Sequence, residues 1–168
     1  MPPITEIAVL AGGCFWGVED LLRKVPGILD TEVGYSGGQT EHPTYETVKT
    51  GRTNHAEAVS ITFDPKIIAY AKLLELFFQL HDPTTLNRQG GDTGSQYRSA
   101  IFVNSAEQRH AAQAVIAKEN TSGRWTRPVV TTIEELKVFY SAEAYHQDYL
   151  QKNPGGYTCH YWRGVGPQ

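Results

Sequence analysis

The chain is poor in cysteine: only Cys14 and Cys159 occur in 168 residues. Two thiols so far apart make neither a local disulfide framework nor a four-ligand zinc site, although nothing in the sequence prevents them from meeting in space. Basic runs are missing too. With 15 Lys and Arg against 18 Asp and Glu, and a formal net charge of -3, no stretch offers a footprint for nucleic acid or an anionic lipid surface. No segment approaches the roughly eighteen consecutive apolar residues of a membrane-crossing helix. The opening Met-Pro-Pro-Ile-Thr-Glu carries no basic stretch leading into an apolar run. A cytoplasmic chain with no nucleic-acid or membrane partner is expected. The six histidines show no His-Glu-x-x-His spacing and no cluster with cysteine, so no metal site is expected.

What is present is an ordinary globular balance, 40% hydrophobic and 20% charged, with 16 Gly and 9 Pro that make loops prominent. Ile7 to Ala11 is an apolar run closed by Gly12-Gly13, which predicts an internal strand ending in a tight turn. Val18, Leu21, Leu22 and Val25 follow at helical spacing until Pro26-Gly27, so Cys14 falls at a helix N-terminus. Residues 28–35 resume a strand pattern, and a short helix over 45–49 follows Pro43. From Ala56 to Phe63 the period is two; the face carrying Val59, Ile61 and Phe63 also carries Glu57, which predicts a carboxylate pointing into the packed side of a sheet.

A helix over 70–80, a turn-rich loop over 82–96 and a strand over 99–103 come next. Ser105 with Gln108 predicts a capped helix through about Lys118, with Ala111, Ala112, Val115 and Ile116 on its buried side. A strand over 129–133 and a last helix over 141–151 lead to Asn153-Pro154-Gly155-Gly156 and an irregular arm. Short strands alternating with helices predict an α+β fold, a single-domain two-layer plait with a ferredoxin-like core over about 7–150, long loops at the site, and a mobile C-terminal arm over about 153–168.

Cys14 is the first chemical candidate. A lone cysteine is commonly an inert buried residue, but a flexible Gly-Gly turn before it and Phe15-Trp16 after it suggest a lined pocket. The unpaired amides of a helix start favour thiolate over thiol. Glu57 is the second: burial raises a carboxyl pKa, which keeps a proton available near neutral pH for general acid work. His55-Ala56-Glu57 also matches half of a zinc deaminase signature, but the Pro-Cys-x-x-Cys half is absent. Tyr45, Asp92 and Tyr97 are polar groups in or beside glycine-containing loops. Cys159 lies in a Gly-rich terminal segment; a sulfenic acid on Cys14 could condense with it to a disulfide.

The chain resembles the A class of peptide methionine sulfoxide reductases from about Ile7 to Arg163. Gly13-Cys14-Phe15-Trp16-Gly17 matches the family's nucleophile motif, and Gly34-Tyr35-Ser36-Gly37-Gly38, Pro43-Thr44-Tyr45 and His55-Ala56-Glu57-Ala58-Val59 follow in the family's order. Asp82 to Gln89, Asp92, Gln96-Tyr97-Arg98-Ser99 and Tyr145-His146-Gln147-Asp148-Tyr149-Leu150 continue it. The resemblance implies that Cys14 attacks the sulfoxide sulfur, Glu57 protonates its oxygen, Tyr45 and Tyr97 hydrogen-bond that oxygen, and Asp92 supports the polar side. Phe15 and Trp16 would hold the substrate methyl group. It further implies methionine-S-sulfoxide, free or in peptides, as substrate, no bound cofactor, recycling by thioredoxin, and Cys159 as the resolving thiol. A monomer is the simplest expectation. Asn54, where the family often has Gly, and Gly91, where Asn is common, depart from the pattern.

Residue chemistry alone leaves two other classes open. A Cys-His amidase or thioesterase would pair Cys14 with His55 or His146 and form an acyl-enzyme. A binding module would use the aromatic pair and hold methionine sulfoxide without releasing methionine.

Overall fold

The computed structural model describes residues 4–167; the Met1-Pro2-Pro3 start and Gln168 at the end of the arm lie outside the described residues. The apolar run after residue 5 becomes strand β1 (Glu6–Gly12), and Cys14 is the N-cap of helix α1 (Phe15–Leu22). Next come β2 (Ile28–Ser36), the single turn α2 (Tyr45–Val48), β3 (Ala56–Phe63) and α3 (Tyr70–Leu80). The turn-rich loop holds a two-residue hairpin, β4 (Arg88–Gln89) with β5 (Asp92–Thr93), and a 3-10 turn over Ser95–Tyr97. Strand β6 (Ser99–Val103), helix α4 (Ala106–Thr121), and edge strands β7 (Thr132–Glu135) and β8 (Phe139–Ser141) complete the sheet.

The six-stranded sheet runs β7-β6-β1-β3-β2-β8. Its middle, β6-β1-β3-β2, is antiparallel throughout and is the ferredoxin-like core expected from the sequence; β7 adds parallel to β6, and β8 antiparallel to β2. Leu10, Val33, Tyr35, Val59, Ile61, Phe63 and Ile101 face one way and bury against Phe15, Val18 and Leu22 of α1, Leu73, Leu74 and Phe77 of α3, and Ala112 and Val115 of α4. The other face is smaller: Val9, Ala11, Ala56, Ala58, Ala100 and Phe102 pack under Leu136 and Phe139. Ser105 caps α4 through the Gln108 N–H at 3.1 Å, while the Gln108 side chain reaches past the cap to the Ile7 carbonyl at 2.9 Å.

Two expectations shift. The strand placed at 129–133 forms instead at Thr132–Glu135. Its start is displaced because Val130 donates from its backbone to Pro83 and Val129 to the Asn120 side chain, which commits both amides before the sheet begins. The helix placed at 141–151 is not formed: the segment is the end of β8, a 3-10 turn over Ala144–His146 and the short helix α5 (Tyr149–Lys152). Gln147 takes both backbone groups of Val33, donating to the carbonyl at 2.8 Å and accepting from the N–H at 2.9 Å, so the segment clips to the sheet edge. Asp148 then turns left-handed (φ 55°) and separates the pieces.

The topology brings the loops that matter to one end of the sheet. Leu10 faces Val59 in the β1–β3 register, so two residues further Gly12 comes opposite Glu57. Gly12 also pairs with Ser99 at the start of β6, and Ser36 at the end of β2 pairs with Ala56. The β1–α1 turn, the β2–β3 connection carrying Tyr45, and the α3–β6 connection carrying Asp92 and Tyr97 therefore all leave from that end.

Candidate active site

Cys14 is buried, and the first amide of α1 behind it, Phe15 N–H, donates to Glu57 Oε1 at 3.2 Å. Strand alternation sends Glu57 into the core as predicted; only 2% of it is exposed. Burial is the main cause that pushes its carboxyl up from 4.5 to about 8, with Asp92 adding and the Phe15 N–H opposing. The carboxyl therefore keeps its proton near pH 7.

The thiol behaves differently from the sequence expectation. A helix start favours thiolate, and the Trp16 backbone N–H does pull the Cys14 pKa down. Burial and then the Glu57 carboxylate push it up by more, so the resting site holds a thiol. The helix terminus loses because its amides act across one turn while desolvation acts on the whole buried sulfur.

Tyr45 and Tyr97 both lie near enough to Glu57 to feel its charge. Burial raises both phenols, Tyr45 to about 12, and the Glu57 charge is the second cause in each, so both remain protonated donors. Their turns are tied together where Gln96 Nε2 donates to the Lys49 carbonyl at 3.2 Å. Tyr45 is set by Glu143, which accepts from the Tyr45 N–H at 2.9 Å and from the Tyr35 hydroxyl at 2.8 Å. Asp92, at the start of β5, accepts from the Tyr157 hydroxyl of the arm at 3.0 Å.

The aromatic side is built around His146. The Phe15 ring lies 5.2 Å from the His146 ring, and the Tyr45 ring 4.5 Å from it. Trp16 stacks on Tyr149 at 3.8 Å and 13°, and its indole N–H donates to His146 Nδ1 at 2.9 Å. Indole only donates, so Nδ1 is bare and the neutral ring carries its proton on Nε2. Burial lowers the His146 pKa and keeps it neutral. Tyr145, His146 and Tyr149 fall within the helix expected over 141–151. In the structure Tyr145 is exposed, while His146 and Tyr149 fix the Trp16 plane. Glu143, which the sequence reading does not single out, escapes notice because the helical spacing around it is real but unused.

Both cysteines are free. Cys159 is half-buried, with its sulfur 3.9 Å from the Gln89 carbonyl and close enough to contribute to the Cys14 electrostatics. The structure therefore brings Cys14, Tyr45, Glu57, Asp92, Tyr97 and Cys159 together, with Phe15 and Trp16 beside them. His55 stands apart: it accepts from the Gly38 N–H at 3.0 Å and donates to the Thr40 carbonyl at 2.7 Å, so both ring nitrogens hold a loop and neither serves as a base. Among the described residues no group of three His, Cys, Asp or Glu side chains is arranged to hold a metal ion.

A buried thiol beside a protonated carboxyl, two phenols and an aromatic wall fits reduction of a small polar S=O group with an apolar substituent. The family model for peptide methionine sulfoxide reductase matches residues 6–166. The chain belongs to the A class of that family. It is 54% identical to peptide methionine sulfoxide reductase MsrA 1 of Mesorhizobium japonicum over 163 residues, covering 97% of this chain and 92% of that protein. Its fold is similar to Mxr1 from Saccharomyces cerevisiae in reduced form, with a TM-score of 0.87, 42% identity, and coverage of 95% of this chain and 93% of that one. Mxr1 in complex with Trx2 is also similar, with a TM-score of 0.63, 28% identity, and coverage of 98% and 96%. Within the reductase family the common glycine before the His-Ala-Glu segment is explained here: Asn54 occupies that position with φ 62°, a backbone that glycine takes freely and asparagine tolerates better than most residues.

Proposed function

We propose that this chain reduces methionine-S-sulfoxide, in peptides or free, to methionine, with Cys14 as nucleophile, Glu57 as proton donor, and a thioredoxin as final reductant. The observation that carries the proposal is the protonated, 2% exposed Glu57 held by the first amide of the helix that Cys14 caps. Sulfoxide oxygen leaves poorly unless protonated, so a nucleophilic sulfur needs such an acid beside it. The Tyr45 and Tyr97 hydroxyls donate to the same oxygen in a water-poor site, where each hydrogen bond is worth more than in solvent. Phe15 and Trp16 give the S-methyl group apolar contact, and Asp92 supports the polar side.

In the first step the Cys14 sulfur bonds to the sulfoxide sulfur while Glu57 delivers a proton to the oxygen. The S–O bond breaks as the hydroxyl passes to Cys14, the transient S–S bond cleaves with its electron pair going to the substrate sulfur, and the thiol proton restores Glu57. The substrate gains two electrons, Cys14 loses two, and methionine leaves a sulfenic acid behind. In the second step the Cys159 sulfur attacks Cys14, a disulfide forms, and hydroxide departs with the Cys159 proton as water. A thioredoxin dithiol then reduces the disulfide, a role supported by the yeast Mxr1 complex with Trx2. The protein works as a monomer in this scheme.

The test is a single turnover without reductant. Reduced protein given the S epimer of a methionine sulfoxide peptide should release one methionine per chain and lose both thiols. Two thiols remaining after methionine release would refute the disulfide path, and tight binding of the peptide with no methionine would select a binding module instead.

A further inference from the structure

Gly17 is the third residue of α1, where glycine weakens a helix by about 0.5–1 kcal/mol relative to alanine, so its presence needs a reason outside the helix. A Cβ at Gly17 would collide with His160 Nδ1 and Thr158 Oγ1 of the C-terminal arm. One at Gly13 would meet the Gln89 side chain at 2.7 Å, with His160 Nε2 just beyond at 3.3 Å. Between them the Gly12 carbonyl accepts from His160 Nε2–H at 2.7 Å. The glycines flanking Cys14 thus form a notch, and the His160 ring fills it with 7% exposure. A carbonyl only accepts, so the proton is on Nε2; burial pushes the imidazole down to about 4, so the ring is neutral and this tautomer persists at pH 7. The neighbouring Cys159 sulfur sits 3.9 Å from the bare Nδ1. On the other side of Cys159, the Tyr157–Asp92 hydrogen bond is exposed and correspondingly weak.

We infer that His160 is a positioning residue for disulfide formation: its ring keys the arm into the notch of Gly12, Gly13 and Gly17 and holds Cys159 beside the Cys14 turn before the sulfenic acid forms. The inference rests on Cys159 as the resolving thiol. An arm of Gly-rich composition left unanchored would have to find Cys14 by loop closure, whereas a keyed arm presents its thiol at high effective concentration. His160 has no part in sulfoxide reduction itself, so the two chemical steps respond differently to its removal.

The experiment is a rapid-quench single turnover on the full chain with a methionine-S-sulfoxide peptide and no reductant, following methionine release and the Cys14–Cys159 disulfide by mass after alkylation. His160→Ala should release methionine within about twofold of the wild-type rate and form the disulfide at least tenfold more slowly. His160→Gln, whose amide can still donate to Gly12, should recover part of that loss. In Gly17→Ala the ratio of disulfide rate to methionine rate should fall by a similar factor, and the double variant should be no slower than the worse single one, because both changes break one contact. Disulfide formation at the wild-type rate in both single variants overturns the positioning role, as does an equal slowing of both steps in His160→Ala. A wild-type disulfide lacking Cys159, or none at all, is a different failure and strikes the resolving assignment instead.

Discussion

Replacing Glu57 by Gln should damage catalysis and strengthen the fold, and the structure sets both magnitudes. The amide keeps the shape and the carbonyl that accepts from Phe15, but it has no proton to give. General acid catalysis contributes about 10²–10⁴-fold, or about 3–5 kcal/mol of barrier, so single-turnover methionine formation should slow by that factor. The stability effect follows from the carboxyl moving from 4.5 to about 8 on burial. Below pH 4.5 the folded and unfolded chains both hold the proton and nothing is lost. Between 4.5 and 8 the unfolded chain releases the proton while the folded chain keeps it, so stability falls as pH rises, and above 8 the loss is constant. At 1.36 kcal/mol per pH unit the penalty is about 3 kcal/mol at pH 7 and has a ceiling of about 5 kcal/mol. Glu57→Gln removes this slope. Urea unfolding of both proteins from pH 4 to pH 9 should give similar stabilities at pH 4 and a gap of a few kcal/mol in favour of the variant at pH 9. A gap that fails to grow with pH would mean that the carboxyl does not carry its burial penalty, and a methionine rate within a few-fold of wild type would remove it as the acid.

Two other substitutions test the supports of the site. Asn54→Ala places a Cβ-bearing residue without asparagine's local hydrogen bonding at φ 62° and should lower stability by about 1–2 kcal/mol, whereas Asn54→Gly should stay within about 0.5 kcal/mol by denaturant titration. Trp16→Phe removes the donor to His146 Nδ1 and leaves that nitrogen buried without a partner; unfolding should become easier by about 1–3 kcal/mol, and KM for the sulfoxide should rise as the ring loses its fixed plane.

The ferredoxin-like core was legible because β1 is an apolar run closed by Gly-Gly, β3 alternates with a period of two and the two main helices keep helical spacing, and Glu57 was legible because it interrupts an apolar face at a fixed parity. The nucleophile could be located by the Gly-Gly turn and the helix that follows, but its charge state could not. That depends first on burial of the sulfur and then on Glu57, which lies 43 positions away in the chain and is brought near only through strand register. The segment 141–151 departs from the expected helix for a related reason: its spacing is helical, while its Gln147 side chain is tied to the Val33 backbone of β2 and its Glu143 side chain to Tyr35 of β2 and Tyr45 of α2. No local pattern records a long-range hydrogen bond. The role of His160 was equally silent in the sequence, since the notch it fills is made of glycines that local patterning reads only as a turn and a helix position.

The resting thiol at Cys14 is a consequence of the same burial that makes Glu57 an acid. After burial, the Glu57 charge is the next cause that holds Cys14 as a thiol, while the Glu57 carboxyl is itself raised mainly by burial. A protonated Glu57 removes the repulsion that the thiolate would otherwise feel, and a sulfoxide oxygen hydrogen-bonded to that acid gives the proton a reason to stay until transfer. The Glu57 charge and the Cys14 proton are therefore coupled, and a neutral sulfur is less open to adventitious oxidation than a thiolate. The coupling can be read without turnover by following iodoacetamide alkylation of Cys14 against pH in Cys159→Ser protein. Adding Glu57→Gln takes away the carboxylate charge, so the alkylation midpoint should move to lower pH while staying above that of a free thiol, because desolvation, the larger cause, remains. A midpoint that stays put, or moves upward, would show that the carboxylate does not hold the thiol in its protonated form.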